Sequence, residues 1–161
     1  MGAVVAVALS LAGCASGSPQ MGATTFINEH GVAAAQVAAR TSAIALAVAR
    51  LPGSPTRPQL QQLTRAASEA RSELARASEW NVAGRGEEGA EEEDVPRAET
   101  QVTEGASELA DALAALQTYA RAPSAAALAG YKRKLAGGRT QWNEGIAQLW
   151  YLAHKSRPPA V

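Results

Sequence analysis

Three side chains in this 161-residue sequence have the strongest potential for chemistry: the single cysteine, Cys14, and the two histidines, His30 and His154. The patterns in which such residues usually catalyse are missing from the sequence. It contains no G-x-S-x-G turn, no H-E-x-x-H motif and no phosphate-binding glycine loop. Neither histidine has a nucleophile beside it in the sequence. The sequence therefore predicts a protein that is not an enzyme and that needs no cofactor.

The residues before Cys14 point to a different use of its thiol. Residues 3–12, AVVAVALSLA, form an apolar run that is shorter than the roughly 20 residues of a membrane-spanning helix. Such a run is typical of a signal peptide. Leu11-Ala12-Gly13-Cys14 resembles the lipobox of bacterial lipoproteins at every position. The sequence departs from a secretion signal in one respect, because no Lys or Arg precedes the apolar run. The alternative interpretation is that this run forms a buried N-terminal strand or helix that ends in cysteine.

The lipobox resemblance implies a location for the protein. In lipoproteins the cysteine thiol is acylated and the chain is cut just before it, which here separates Gly13 from Cys14. Residues 1–13 are then a cleaved signal peptide, and Cys14 carries the diacylglycerol and palmitate anchor on the extracytoplasmic face of the cell membrane. Residues 14–24 are small and polar and are predicted to form a flexible tether.

Beyond the tether, apolar residues recur at the three-to-four-residue spacing of amphipathic helices. The pattern predicts four helices over roughly residues 25–51, 57–81, 94–121 and 124–155. Proline, glycine and serine separate the first two helices, where Thr56 or Ser54 is the expected N-cap, and Ala122-Pro123-Ser124 separates the last two. The expected fold is therefore all-α.

Short connections make consecutive helices antiparallel. Residues 25–157 are accordingly predicted to form an up-down-up-down four-helix bundle. Trp142 lies on the apolar stripe of the fourth helix and is expected in the core. Gly137-Gly138 interrupts that helix, and because each glycine costs about 1 kcal/mol relative to alanine, a kink or a short break is expected there.

This topology brings both histidines and several aromatic residues to the tether end of the bundle. The usual interpretation is that the aromatic side chains close the end of the core. A second interpretation is a binding site, because bundle cores often hold ligands or metals. Its candidate metal ligands are His30, His154, Glu29 and Glu79, and its candidate ligand-binding residues are Phe26, Trp80, Trp150 and Tyr151.

Charge is balanced overall but uneven along the chain. The net charge is zero, which argues against nucleic acid as a partner because nucleic-acid-binding proteins usually carry a basic excess. An acidic run covers residues 87–94, and a basic cluster covers Lys132, Arg133, Lys134 and Arg139. Both are expected to be solvated surface, with the basic cluster paired to acids of the third helix. Two functional hypotheses for the acidic run are that it holds the bundle end away from anionic lipid headgroups, or that it receives a basic partner.

Two functional hypotheses of different classes remain. The first is a lipid-anchored, non-catalytic helical bundle of the bacterial cell envelope that acts as an interaction or scaffold module. It binds the membrane through Cys14 and takes an envelope protein as its partner. The alternative is a lipoprotein that binds a metal or small ligand at the tether end of the bundle.

Overall fold

A computed structural model of the chain describes residues 19–80 and 94–154. Those residues form four helices: α1 (Pro19–Ala49), α2 (Arg57–Ala77), α3 (Asp94–Arg121) and α4 (Ala125–His154). The described part is 89% helical and contains no strand. The predicted all-α fold with four helices that contact one another as a bundle is confirmed. The predicted signal peptide, Cys14 and the acidic run up to residue 93 lie outside the described residues.

The first helix begins earlier than the periodicity predicts. It starts at Pro19, so residues 19–24 of the segment predicted as flexible tether are helical. Ala23 and Phe26 are fully buried, and this burial explains the extension because it gives the first turns of α1 an apolar contact in the core. Only residues 14–18 of the predicted tether lie outside the described part.

Local capping explains where two of the helices begin. At the start of α2, the side-chain oxygen of Gln59 accepts hydrogen bonds from the Thr56 backbone N–H at 2.8 Å and from the Thr56 hydroxyl at 3.0 Å. At the start of α4, the Ser124 hydroxyl accepts from the Ala127 N–H at 3.2 Å. These side chains form hydrogen bonds with polar groups at the helix start that have no partner within the helix. Thr56, one of the two predicted caps, therefore lies at the α2 start.

The glycine pair in α4 does not interrupt the helix, which corrects the prediction of a short break there. α4 is continuous from Ala125 to His154. A Cβ atom at Gly138 would lie 2.8 Å from the Leu109 nitrogen on α3, and one at Gly145 would lie 2.8 Å from the Ala98 oxygen. Across from them on α3, a Cβ atom at Gly105 would lie 2.5 Å from the Trp142 nitrogen. The glycines therefore allow the α3 and α4 backbones to touch, and this contact offsets their low helix propensity.

Among the described helices, α3 and α4 form the most extensive interface, and each of them also contacts α1. α2 packs between α1 and α3, and its backbone does not approach that of α4. The described core is built mainly from alanine and leucine, with Trp142 buried in α4 as predicted. α3 has buried residues along its whole length, from Val95 to Tyr119. α1 is more exposed, and its exposed surface is part of the candidate site.

Candidate functional site

A cluster of four rings, the aromatic cluster, consists of Phe26, His30, Trp80 and Trp142. The His30 ring stacks on Trp80 at a centroid distance of 4.6 Å and an interplanar angle of 7°. Phe26 meets His30 edge-on at 5.1 Å and Trp80 at 6.2 Å. Trp142 approaches Trp80 at 5.9 Å. Aromatic pairs at these distances stabilise a core beyond the area that they bury.

The aromatic cluster exists because α2 ends early. α2 stops at Ala77, and the chain then makes one more turn, in which the Trp80 N–H donates to the Ala77 carbonyl at 3.2 Å. This turn carries the Trp80 ring across the end of α2, into the space between α1 and α4. Phe26 and His30, one turn apart on α1, complete the contact. The cluster thus closes the core beyond the end of α2.

His30 is poised to remain neutral in this environment. Burial lowers its pKa below the usual 6.5, and this effect exceeds the opposite influence of the neighbouring Glu29. The Nε2 atom of His30 lies 3.9 Å from the Glu29 carboxylate. A neutral ring suits stacking in an apolar site because no charge must be desolvated.

Only part of the predicted tether-end set comes together. Phe26 and Trp80 meet, whereas Trp150 stacks on His154 of its own helix at 4.2 Å. Tyr151 is 53% exposed. Trp142 joins the cluster instead, although the sequence indicated only a core position for it. Its contact with Trp80 depends on the exact end of α2, which periodicity does not determine.

Of the four candidate metal ligands, His30 and Glu29 lie 3.9 Å apart, but the set does not gather into one site. His154 is exposed, and its Nδ1 lies 3.2 Å from the Trp150 carbonyl oxygen. Glu79 is also exposed. Within residues 19–80 and 94–154, no group of three His, Cys, Asp or Glu side chains could hold a metal ion. The described residues therefore provide no support for the metal-binding hypothesis.

A different surface stands out on α1. Five exposed residues lie on the side of α1 that points away from the other helices, and we call them the α1 face. They are Val32, Ala35, Ala39, Ala43 and Leu46. Val32 is 75% exposed and Leu46 50%. Exposed apolar side chains that are contiguous, rather than scattered, mark interaction sites. The α1 face is such a contiguous surface on a single helix.

Charged residues border the α1 face without interrupting it. Glu29 lies before it and Arg50 after it. Arg40 is close to its middle, but the Arg40 guanidinium is directed to α2, where its Nη1 atom lies 3.0 Å from Glu73 and 3.8 Å from Glu69. This ion pair draws the charge to the side of the helix. The stripe from Val32 to Leu46 is therefore uncharged.

The hydropathy of α1 agrees with this description. Between Gly22 and Ala49 the helix is long and apolar enough to cross a membrane, with a mean hydropathy of 1.5 over an 18-residue window. It is the one helix of the described residues that meets this criterion, and only 28% of that window is buried. Core helices and N-terminal signal sequences meet the same criterion. The distinguishing feature of α1 is therefore apolar composition combined with low burial.

A shallow groove lies between α1 and α2 and includes Ala43 of the α1 face. Its volume is about 370 Å³, and its apolar lining includes Ile44, Leu51 and Leu63. Arg40 and Arg50 also line it. The groove shows that α1 and α2 are incompletely packed at this end, whereas α3 and α4 touch through their backbones.

The basic cluster of α4 is tied to its neighbours. The Lys134 ammonium lies 2.9 Å from Asp111 of α3, which agrees with the expected pairing to acids of the third helix. Arg139 donates to the Ser42 hydroxyl of α1 at 3.4 Å. Exposed pairs of this kind contribute roughly 0–1 kcal/mol. They favour a solvated helix surface over an anion site.

No protein-family model, curated protein or solved structure matches the chain.

Proposed function

We propose that the protein is a lipid-anchored, non-catalytic helical bundle of the bacterial cell envelope, and that it works by docking an apolar helix of a protein partner on the α1 face. The observation that carries this proposal is the uncharged, exposed stripe from Val32 to Leu46. It spans roughly 21 Å at 1.5 Å per residue. About four helical turns of a partner helix fit along that length.

Helix contacts support an up-down-up-down arrangement of this bundle. Along α3 and α4, residue numbers run in opposite senses, since Asp111 meets Lys134 and Ala98 lies beside Gly145. Along α1 and α2 they do so as well, because His30 meets Trp80 and Arg40 meets Glu73. The connections after α1 and α3 are also short, as expected between antiparallel neighbours.

The proposed anchor is the acylated thiol of Cys14 after cleavage behind Gly13. The lipobox-like residues 11–14 support it. Because α1 begins at Pro19, the intervening chain reaches at most about 18 Å from Cys14. Two acyl chains give stable attachment where one gives only marginal binding. The anchor would therefore hold α1 close to the membrane on its extracytoplasmic side.

A protein helix suits the α1 face better than lipid does. Binding to a bilayer surface is strengthened by large apolar side chains over a basic polar face, but the α1 face has alanine at three of its five positions. Alanine gains little in hydrocarbon and instead lets two helix backbones approach closely. The small side chains thus favour a second helix as occupant.

Labelling tests the anchor. The full chain, expressed in a bacterium and fed an alkyne analogue of palmitate, is expected to incorporate label and to fractionate with membranes. The Cys14→Ser variant should lose both properties because it has no thiol to acylate. Equal labelling of both chains, or no labelling of either, would contradict the proposed anchor.

Position-specific photocrosslinking tests the docking surface. A photoreactive residue at Val32 or Leu46 is expected to give a protein adduct in intact cells. The matched control is Lys132, which is also exposed but lies on α4 and is expected to give no adduct. Adducts at all three positions, or at none, would show that the α1 face is not the docking surface.

A further inference from the structure

We infer that the partner helix is α1 of a second copy of this chain, and that the two α1 faces meet antiparallel about a twofold axis at Ala39. This inference rests on the docking surface of the proposed function and names its partner. It does not depend on the lipid anchor, because all the residues that carry it belong to α1 and the turn after it.

The spacing of the α1 face makes it complementary to itself. Val32 and Leu46 lie seven residues before and after Ala39, which is close to two helical turns. An antiparallel copy centred on Ala39 therefore places Val32 of one chain against Leu46 of the other, twice. Ala35 and Ala43, four residues on either side of the centre, pair in the same way. Twofold interfaces require this kind of self-complementary surface.

Small side chains at the centre make close approach possible. Ala39 of one chain meets Ala39 of the other, with alanine pairs on each side. Arg40 would be the obstacle, because the two copies of its charge lie near the axis. Its guanidinium is instead held 3.0 Å from Glu73 on α2, beside the face. The larger Val32 and Leu46 side chains then close the two ends of the seam.

Charge selects the antiparallel orientation over the parallel one. Glu29 lies ten residues before Ala39 and Arg50 eleven after it. In the antiparallel pair, Glu29 of each chain lies within a turn of Arg50 of the other. A parallel pair would place Glu29 beside Glu29 and Arg50 beside Arg50. Opposite charges at the ends of a helix pair set its orientation in this way.

The area of the seam sets the expected strength. From Glu29 to Arg50 it measures about 32 Å by roughly 10 Å, or on the order of 600–700 Å² for both copies. Stable dimers usually bury about 1,200 Å² or more. A weak dimer is expected, with a Kd on the order of 10–100 μM. Confinement to a membrane surface raises the local concentration and favours such a pair.

Disulfide trapping in the full chain tests the orientation. In a Cys14→Ser background, the Val32→Cys and Leu46→Cys chains carry different tags and are mixed under oxidising conditions. The inference predicts a disulfide between the two different chains and little within either population alone. Efficient Val32→Cys self-linking, without the mixed product, would establish a parallel pair and overturn the inference.

Sedimentation of the same full chain tests the charge argument. Glu29→Arg and Arg50→Glu should each weaken the dimer about tenfold, and the double variant should restore it, because the opposite charges meet again. Lys132→Glu, on the exposed side of α4, is the matched control and should leave the Kd unchanged. A double variant no stronger than either single variant would overturn the antiparallel inference.

Comparison with the photocrosslinking experiment separates the two proposals. If adducts form at Val32 and Leu46 with the mass of a different protein, and the full chain remains monomeric up to millimolar concentration, the inference is wrong and the docking surface remains. If the adducts have twice the chain mass and the mixed disulfide forms, both proposals are supported. Absence of any adduct from the α1 face overturns both.

Discussion

The α3–α4 interface and the α1 face use the same kind of small side chain with opposite results. At the interface, Gly105, Gly138 and Gly145 leave no room for even a methyl group between the backbones. On α1, small side chains of similar volume are exposed to solvent. Small residues stabilise a bundle only when a second helix lies against them. The α1 face therefore resembles half of a helix interface that lacks its other half.

This contrast also separates composition from burial. α3 carries several acidic and polar residues, yet it has buried residues at intervals from Val95 to Tyr119. The 18-residue apolar window of α1 is only 28% buried. Burial in this molecule follows from which neighbours a helix has rather than from how apolar it is. The following predictions test that difference, beginning with the largest effect.

The same substitution, leucine to alanine, made once on α3 and once on α1 measures the difference in packing between the two helices. Leu113→Ala, at a fully buried position of α3, should destabilise the protein by about 3–4 kcal/mol because it removes apolar contacts and leaves a cavity. Leu46→Ala, at a position that is 50% exposed, should cost under about 1 kcal/mol. Urea unfolding of both variants at low protein concentration provides the comparison. Equal losses would show that α1 is as tightly packed as α3.

Two adjacent glycines test how close α3 and α4 are. Gly138→Ala should destabilise by about 2 kcal/mol because its Cβ atom would lie 2.8 Å from the Leu109 backbone nitrogen. Gly137→Ala is the matched control. Its Cβ atom would meet only the flexible end of Glu108, at 2.7 Å, and alanine should stabilise the helix by about 0.5–1 kcal/mol. Thermal unfolding that gave the same sign for both variants would contradict this close packing.

Periodicity was sufficient to predict most of the helical architecture. It located four helices because apolar residues repeat at helical spacing, and Thr56 marked one start through capping chemistry. The predicted break at Gly137-Gly138 was wrong, since local propensity counts the cost of glycine but not the backbone contact that offsets it. Periodicity also missed the α1 start at Pro19. There the stabilisation from burying Ala23 and Phe26 outweighs the low helix propensity of nearby residues.

The candidate site was less predictable than the fold. The spacing on α1 identifies its buried side, but exposure of the opposite side depends on where α2 and α4 lie. Trp80 shows the same limit, because its contacts with His30 and Trp142 follow from the last turn after α2. A sequence pattern gives the faces of a helix; only the three-dimensional arrangement shows which face has a neighbour.

Tyr131 tests whether the well-packed α3–α4 side of the core contains an unsatisfied polar group. It is almost fully buried in α4, and its hydroxyl has no hydrogen-bond partner among the described residues. Burial also raises its pKa to about 12, against a smaller opposite effect of Arg139. Tyr131→Phe removes the unpartnered group and should stabilise the protein by about 1 kcal/mol in urea unfolding. A loss of stability would indicate that the hydroxyl binds a group that the described residues do not include.

His30 provides the smallest test, on the side of the bundle where α1 is less well packed. Burial lowers its pKa below 6.5, so the unfolded chain binds a proton more readily than the folded chain does. Stability should therefore fall as the pH decreases through 6.5, and this contribution should level off once the pH is below the folded pKa.

His30→Phe keeps a ring against Trp80 but cannot take up a proton. The loss of Tm between about pH 7.5 and about pH 5 should be smaller in this variant than in the parent chain. His154→Gln, which removes an exposed histidine from the end of α4, is the control for the loss of a histidine. If the His30→Phe profile matches the parent, the ring is hydrated enough to bind its proton in the folded state, and the aromatic cluster is more open than its stacked geometry indicates.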